Sequence, residues 1–100
     1  MDPEAVANAL ANDTRRKILQ LLLSDPKTAT ETHEQYLEAY EDEKHRETIY
    51  RYLETLVEAG IVEKEYRQNR GLVYSVPHHR LVLDIEAWTV DPIDDDSEPS

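Results

Sequence analysis

One stretch constrains this chain more than any other: Thr48-Ile-Tyr-Arg-Tyr-Leu-Glu-Thr-Leu-Val-Glu-Ala-Gly-Ile-Val62. Ile49, Leu53, Leu56 and Val57 recur at helical spacing and make one apolar stripe. Gly60 is a C-terminal stop that is free to take the left-handed backbone. β-prone residues follow at once. A one-sided helix, predicted over Lys44–Ala59, must therefore turn sharply into a strand. Two short β-prone runs come next, Ile61–Arg67 and Leu72–Val76. Gln68-Asn69-Arg70-Gly71 between them reads as a hairpin loop.

Three more helices are expected ahead of this unit. Asp2 caps a first helix with Pro3 at its first position, Val6 and Leu10 on one face, and an end near Ala11-Asn12. Asp13 or Thr14 caps a second, Arg15–Ser24. Its Ile18, Leu19, Leu21, Leu22 and Leu23 make it apolar around much of its circumference, as a central core helix would be. Asp25-Pro26 ends it. Thr28 and Glu31 form a capping box for a third, Ala29–Glu41. Its apolar side is Ala29, Tyr36, Leu37 and Tyr40; Glu31, Glu34, Glu38 and Glu41 face solvent. Asp42-Glu43 is the turn into the fourth helix.

From Pro77 two periods compete. Leu81, Val82, Ile85 and Trp88 suit a helix face, whereas Leu81, Leu83, Ile85 and Ala87 alternate as in a strand. Pro77 at a first turn favours the helix. The composition gives one domain over 1–90 and an acidic tail over 91–100 that lacks the apolar residues to form a core and is expected to be disordered.

The net charge of −11 opposes any role that requires contact with phosphate, but it is unevenly spread. Residues 1–43 hold ten acids and four bases, and residues 71–100 seven acids and one base, a net of −6 in each. Residues 44–70 hold five acids and six bases, a net of +1. The one segment that is not acidic is the helix and hairpin singled out above.

Here the chain resembles known regulators. Leu10-Ala-Asn-Asp-Thr-Arg-Arg-Lys-Ile-Leu-Gln-Leu-Leu-Leu is similar to the opening of ArsR-like transcriptional regulators. Thr48–Val62 resembles their recognition helix and first wing strand, and Tyr50-Arg51 with Leu-Val-Glu-Ala-Gly is also similar to ferric-uptake-type repressors. The likeness covers residues 5–76. It implies a mainly α fold with a small β-hairpin wing, the winged helix-turn-helix, that binds double-stranded DNA as a homodimer. The groove residues it implies are Thr48, Tyr50 and Arg51, with Arg51 the candidate guanine contact. Lys44, His45 and Arg46 stand at the helix start, and Arg67, Asn69 and Arg70 at the wing tip, as further DNA contacts. Tyr52 and Thr55 are also expected on the outward side. Glu47 reads two ways: an acceptor for cytosine, or a solvated first-turn acid near the helix dipole, the second being favoured. Arg15-Arg16-Lys17 either touches the DNA backbone or pairs with Asp13, Glu4 or the tail. A dimer surface is expected from residues 2–11 and 78–90, with Val6, Leu10, Leu81, Ile85 and Trp88 as anchors. Seven Arg against four Lys, the acid excess and the lack of Phe resemble proteins of salt-accumulating archaea; an ordinary acidic protein is the other reading.

Several function classes are set aside. The absence of Cys removes disulfides, thiolate metal sites and cysteine nucleophiles. His33, His45, His78 and His79 lack metal-ligand spacing, so no metal is expected. Two glycines make no phosphate loop, and the serines lie in no nucleophile motif, so neither an enzyme nor a cofactor is expected. The six tyrosines read as core and groove residues. No signal peptide or membrane span is read, which makes the cytoplasm the default. Nothing in the sequence specifies a small-molecule effector. A winged-helix module that binds proteins instead of DNA is the second reading, and the acidity favours it.

Overall fold

The computed structural model describes residues 1–93. α1 (Pro3–Leu10) is capped by Asp2, whose carboxylate accepts from the Glu4 amide at 3.2 Å. α2 (Asp13–Ser24) starts two residues earlier than predicted because Asn12 is its cap, accepting from the Arg15 amide at 2.9 Å. β1 (Lys27–Thr28) leads into α3 (Ala29–Tyr40), whose Thr28/Glu31 capping box is complete. α4 (Arg46–Glu58) begins two residues later than predicted and ends at Ala59 and Gly60, the latter with φ +84°. β2 (Glu63–Arg67) and β3 (Gly71–Ser75) form the expected hairpin, and β1 adds to it in the order β1-β3-β2. This is the winged helix-turn-helix.

The core is built on α4. Ile49, Leu53 and Leu56 are fully buried among Ile18 and Leu22 of α2, Tyr36 of α3, and Val62 and Tyr74 of the wing. Leu37, expected on the buried side of α3, is exposed, and Thr32 takes the inner position. The Thr32 hydroxyl donates to the Thr28 carbonyl at 2.8 Å, which satisfies it inside the core.

The prediction of a helix after Pro77 is overturned. β4 (Leu81–Asp84) and β5 (Thr89–Pro92) form a second, two-stranded antiparallel sheet. Asp84 closes the turn by accepting from the Ala87 amide at 2.9 Å, and Trp88 completes it in the left-handed conformation, φ 56°. The helical reading required Leu81, Val82, Ile85 and Trp88 on one buried face, yet Ile85 is 78% and Trp88 51% exposed. Val90, further along, supplies the anchor on the core instead. β5 therefore takes in Asp91 and Pro92 from the stretch read as a tail; residues 94–100 of that tail lie outside the described residues.

Of the expected dimer anchors, Val6 is 5% exposed and packs in the chain's own core. Leu10 and Leu81 are half-buried and line a cavity of about 310 Å³ with Leu19, Leu23, Val76 and His79. Among the described residues no helix is long and apolar enough to cross a membrane.

Lys27 is buried to 1% exposure, which nothing in the sequence pattern foretold. Its ammonium donates to the Leu21 carbonyl at 2.9 Å, the Asp25 carbonyl at 3.2 Å, the Ser24 hydroxyl at 3.1 Å and the Asp25 carboxylate at 2.6 Å. It closes the C-terminal end of α2 while its backbone pairs with Tyr74 of β3. Lys27→Met keeps the stem and strands those acceptors. It is expected to lower stability by about 1–3 kcal/mol in urea unfolding; an unchanged midpoint would mean the ammonium closes nothing.

Candidate nucleic-acid interface

α3 and α4 are joined by a short turn that three side chains hold. Glu41 ends α3 in the left-handed conformation, φ 50°. The buried Tyr36 hydroxyl donates to Asp42 at 2.8 Å, and burial raises its pKa. His33 Nε2 donates to the Lys44 carbonyl at 2.8 Å, so this histidine belongs to the turn. Lys44 lies 3.8 Å from Asp42 at the entrance to α4.

α4 presents His45, Arg46, Glu47, Tyr50 and Arg51 to solvent, with Thr48 half-buried between them. His45 caps the helix without a side-chain bond, which leaves first-turn amides open to an acceptor. A groove of about 240 Å³ runs between the N-terminal ends of α3 and α4, lined by Ala29, Thr30, Arg46, Glu47 and Tyr50. Tyr52, expected on the outward side, is half-buried on the core with the Arg15 guanidinium 5.2 Å above its ring. Thr55 returns its hydroxyl to the Arg51 carbonyl at 3.0 Å.

The Arg15-Arg16-Lys17 cluster is structural. Arg15 donates to the Ala9 and Asn8 carbonyls at 2.8 and 2.9 Å and Arg16 to the Leu10 carbonyl at 2.6 Å, so both close the C-terminal end of α1. Lys17 pairs with Asp13 at 3.1 Å.

The wing is tied to α4 through one carboxylate. Glu54 accepts from Lys64 of β2 at 2.8 Å and from the buried Tyr74 hydroxyl of β3 at 2.7 Å. Lys64, then Tyr74, hold the Glu54 carboxyl below its ordinary range, while burial pushes the Tyr74 hydroxyl far above its own. Of the wing residues expected at DNA, Asn69 is exposed, and Arg67 is paired with Glu65 at 2.8 Å. Arg70 turns back from the tip to bond Glu31 at the start of α3 and the Pro26 carbonyl. Tyr66, 74% exposed and opposite Leu72, is an apolar feature of the wing that the sequence reading did not single out.

Most cations of the chain are thus engaged. Of eleven Lys and Arg side chains, the two without a hydrogen bond, ion pair or ring contact among the described residues are Arg46 and Arg51, both on the outer face of α4. Among the same residues no three His, Asp or Glu side chains converge as metal ligands.

Residues 10–65 match a family described as a helix-turn-helix domain, and the chain belongs to that family. No curated protein matches it in sequence. Among solved structures it is similar to an ArsR-like transcriptional regulator from Rhodococcus sp. RHA1, with 25% identity and a TM-score of 0.60. That match covers 75% of this chain and 64% of the regulator, so the chain spans somewhat under two thirds of its length. The fold is also shared with a zinc-bound manganese uptake regulator (20% identity, TM-score 0.61, 94% of this chain and 76% of that one). The ferric uptake regulator of Vibrio cholerae has it too (24% identity, TM-score 0.58, 96% and 79%).

The carboxyl of Glu31, held low by the Thr28 amide and then by Arg70, behaves like that of Glu54. A carboxyl depressed in the folded state stabilises the fold above its ordinary value of 4.5, and this contribution disappears as pH falls through the lower folded value. Glu54→Gln is therefore expected to be less stable than the parent at pH 7 and to converge on it as the solution is acidified below about 4.5. Urea midpoints across pH check this; a gap that stays constant would show that the carboxylate charge contributes nothing.

Proposed function

We propose that the chain is a sequence-specific DNA-binding transcription regulator that sets α4 in a major groove and β2–β3 alongside, acting in the cytoplasm as a homodimer. The observation that carries this reading is the position of the two unengaged arginines on the exposed face of α4. Arg51 is the base-reading residue, with Thr48 and Tyr50 beside it. Lys44, His45 and Arg46 meet phosphate near the open amides of the first turn. Asn69 and Arg67 reach DNA from the wing. Arg70 contributes mainly by fixing the wing tip on Glu31.

The test is a shift assay on DNA upstream of the chain's own gene. Arg51→Ala is expected to weaken specific binding by about 1–3 kcal/mol, roughly five- to over a hundred-fold. Arg46→Ala is expected to weaken specific and random DNA alike. Arg70→Ala is expected to cost less than Arg51→Ala. If neither Arg46→Ala nor Arg51→Ala changes binding, the DNA reading fails.

The acid excess, read as a halophile's, adds a salt prediction. In molar salt the Debye length is about 3 Å, so phosphate attraction contributes little and specific contacts must carry affinity. Affinity is expected to vary little or to rise with salt; a steep loss would contradict this. The second reading, a protein-binding winged helix, is favoured by the net charge of −11 and by the internal pairing of Arg67 and Arg70. It predicts no shift of any DNA in the same assay.

A further inference from the structure

β4 has one bonded edge and one open edge. The Ile93 amide donates to the Arg80 carbonyl at 3.0 Å, one step beyond the Leu81–Pro92 pair of the register. Bonded and non-bonded pairs alternate along an antiparallel ladder, so Arg80, Val82 and Asp84 bond to the β5 side. Leu81 and Leu83 therefore point their N–H and C=O groups away from β5, and no strand among the described residues takes them. Val82 and Leu83 are 43% and 49% exposed beside this edge. An open edge flanked by apolar side chains is a template for another strand.

We infer that β4 pairs antiparallel with β4 of a second copy of this chain, about a two-fold axis through Val82. This rests on the homodimer reading above and names its interface. Self-pairing of an antiparallel strand closes on a two-fold axis without leaving a further edge of the same kind. Only the odd-numbered residues carry open groups, so odd must face odd. Three registers satisfy this: Leu81 facing Leu81, Leu83 facing Leu83, or Leu81 facing Leu83. The first sets Val82 against Arg80 and the second sets it against Asp84. The third sets Val82 against Val82 on the axis and Arg80 against Asp84 on both sides of it. Apolar and opposite-charge cross-strand pairs are the favourable ones, which selects the third.

Charge supports the same occupant. Residues 80–84 carry one base and one acid, so they are neutral in a chain of net charge −11. A second copy meets no net like charge at this edge. The register also carries Ile85 of one copy to His79 of the other. The exposed tip, Ile85 and Trp88, then lies beside the cavity of about 310 Å³ lined by Leu10, Leu19, Val76, His79 and Leu81. The resulting four-stranded sheet replaces a lone hairpin, which is a marginal unit in water.

The chain has no cysteine, so Val82→Cys introduces a single thiol. Non-bonded antiparallel partners have Cα atoms about 4.5 Å apart, inside the roughly 4.4–6.8 Å range of a disulfide. The purified full chain at tens of micromolar is oxidised mildly, with Tyr66→Cys on the exposed wing as the comparison. Pre-association raises the effective thiol concentration towards millimolar, so Val82→Cys is expected to cross-link at least about tenfold faster than Tyr66→Cys. By light scattering the parent is expected at twice the 11.6 kDa chain mass. Leu83→Pro removes an N–H from the open edge only, and Val82→Lys sets like charges across the axis while leaving the backbone intact; each is expected to halve that mass. A dimer that both variants leave intact, with equal cross-linking rates, overturns this interface but not the homodimer. A parent of single-chain mass overturns both. The Arg51→Ala shift assay reads DNA binding separately from either result.

Discussion

Complete burial of Ile49, Leu53 and Leu56 decides the rest of the molecule. Each of these side chains stabilises the fold by about 1.5–3 kcal/mol on removal from water, so α4 has one admissible rotation about its axis. That rotation turns Arg46, Tyr50 and Arg51 outward. It also brings Glu54, adjacent to Leu53, against Lys64 and Tyr74. The stripe that seats the helix therefore also fixes where the wing stands beside it. Ile61 and Val62 donate their amides back to the Leu56 carbonyl, so the chain leaves α4 for β2 in a single direction.

On this frame the acidic surface has a particular consequence. Exposed ion pairs contribute only about 0–1 kcal/mol each, so the pairing of Lys17, Arg67 or Arg70 adds little to stability. It does determine where positive charge remains available. Arg15 and Arg16 are held by the end of α1, and Lys27 by the end of α2. Arg46 and Arg51 are left unengaged, five residues apart on the exposed side of α4. A chain with abundant lysines would carry many mobile cations and little contrast. Here the contrast is sharp because nearly every other cation has a partner close by.

What the sequence disclosed was what its local period encodes. The α4 stripe, the stop at Gly60, the Thr28/Glu31 box and the β2–β3 hairpin all involve residues within a few positions of each other, and all were legible. The partners of charged groups were not. Glu54 meets Lys64 ten residues away and Tyr74 twenty away; Arg70 meets Glu31 across thirty-nine. No periodicity records such pairs. Lys27 looks like any loop lysine in sequence and becomes buried only because α2 ends above it. Tyr52 sits on the polar side of the α4 pattern yet is covered by Arg15, whose position depends on where α1 stops.

Residues 77–92 show where pattern alone fails. Leu81, Val82, Ile85 and Trp88 suit a helix as well as Leu81, Leu83 and Ile85 suit a strand. The core settles the choice, since Val90 of β5, in contact with α1, is the residue it buries, while Ile85 and Trp88 stay exposed. With Val90 as anchor, Thr89–Pro92 must run extended across α1, and Pro92 is tolerated because its missing donor lies opposite Leu81 in a non-bonded pair. β4 then pairs on the far side of β5 with its second edge uncovered. The outward apolar groups and the open edge are thus two results of one local event, the seating of Val90 on α1.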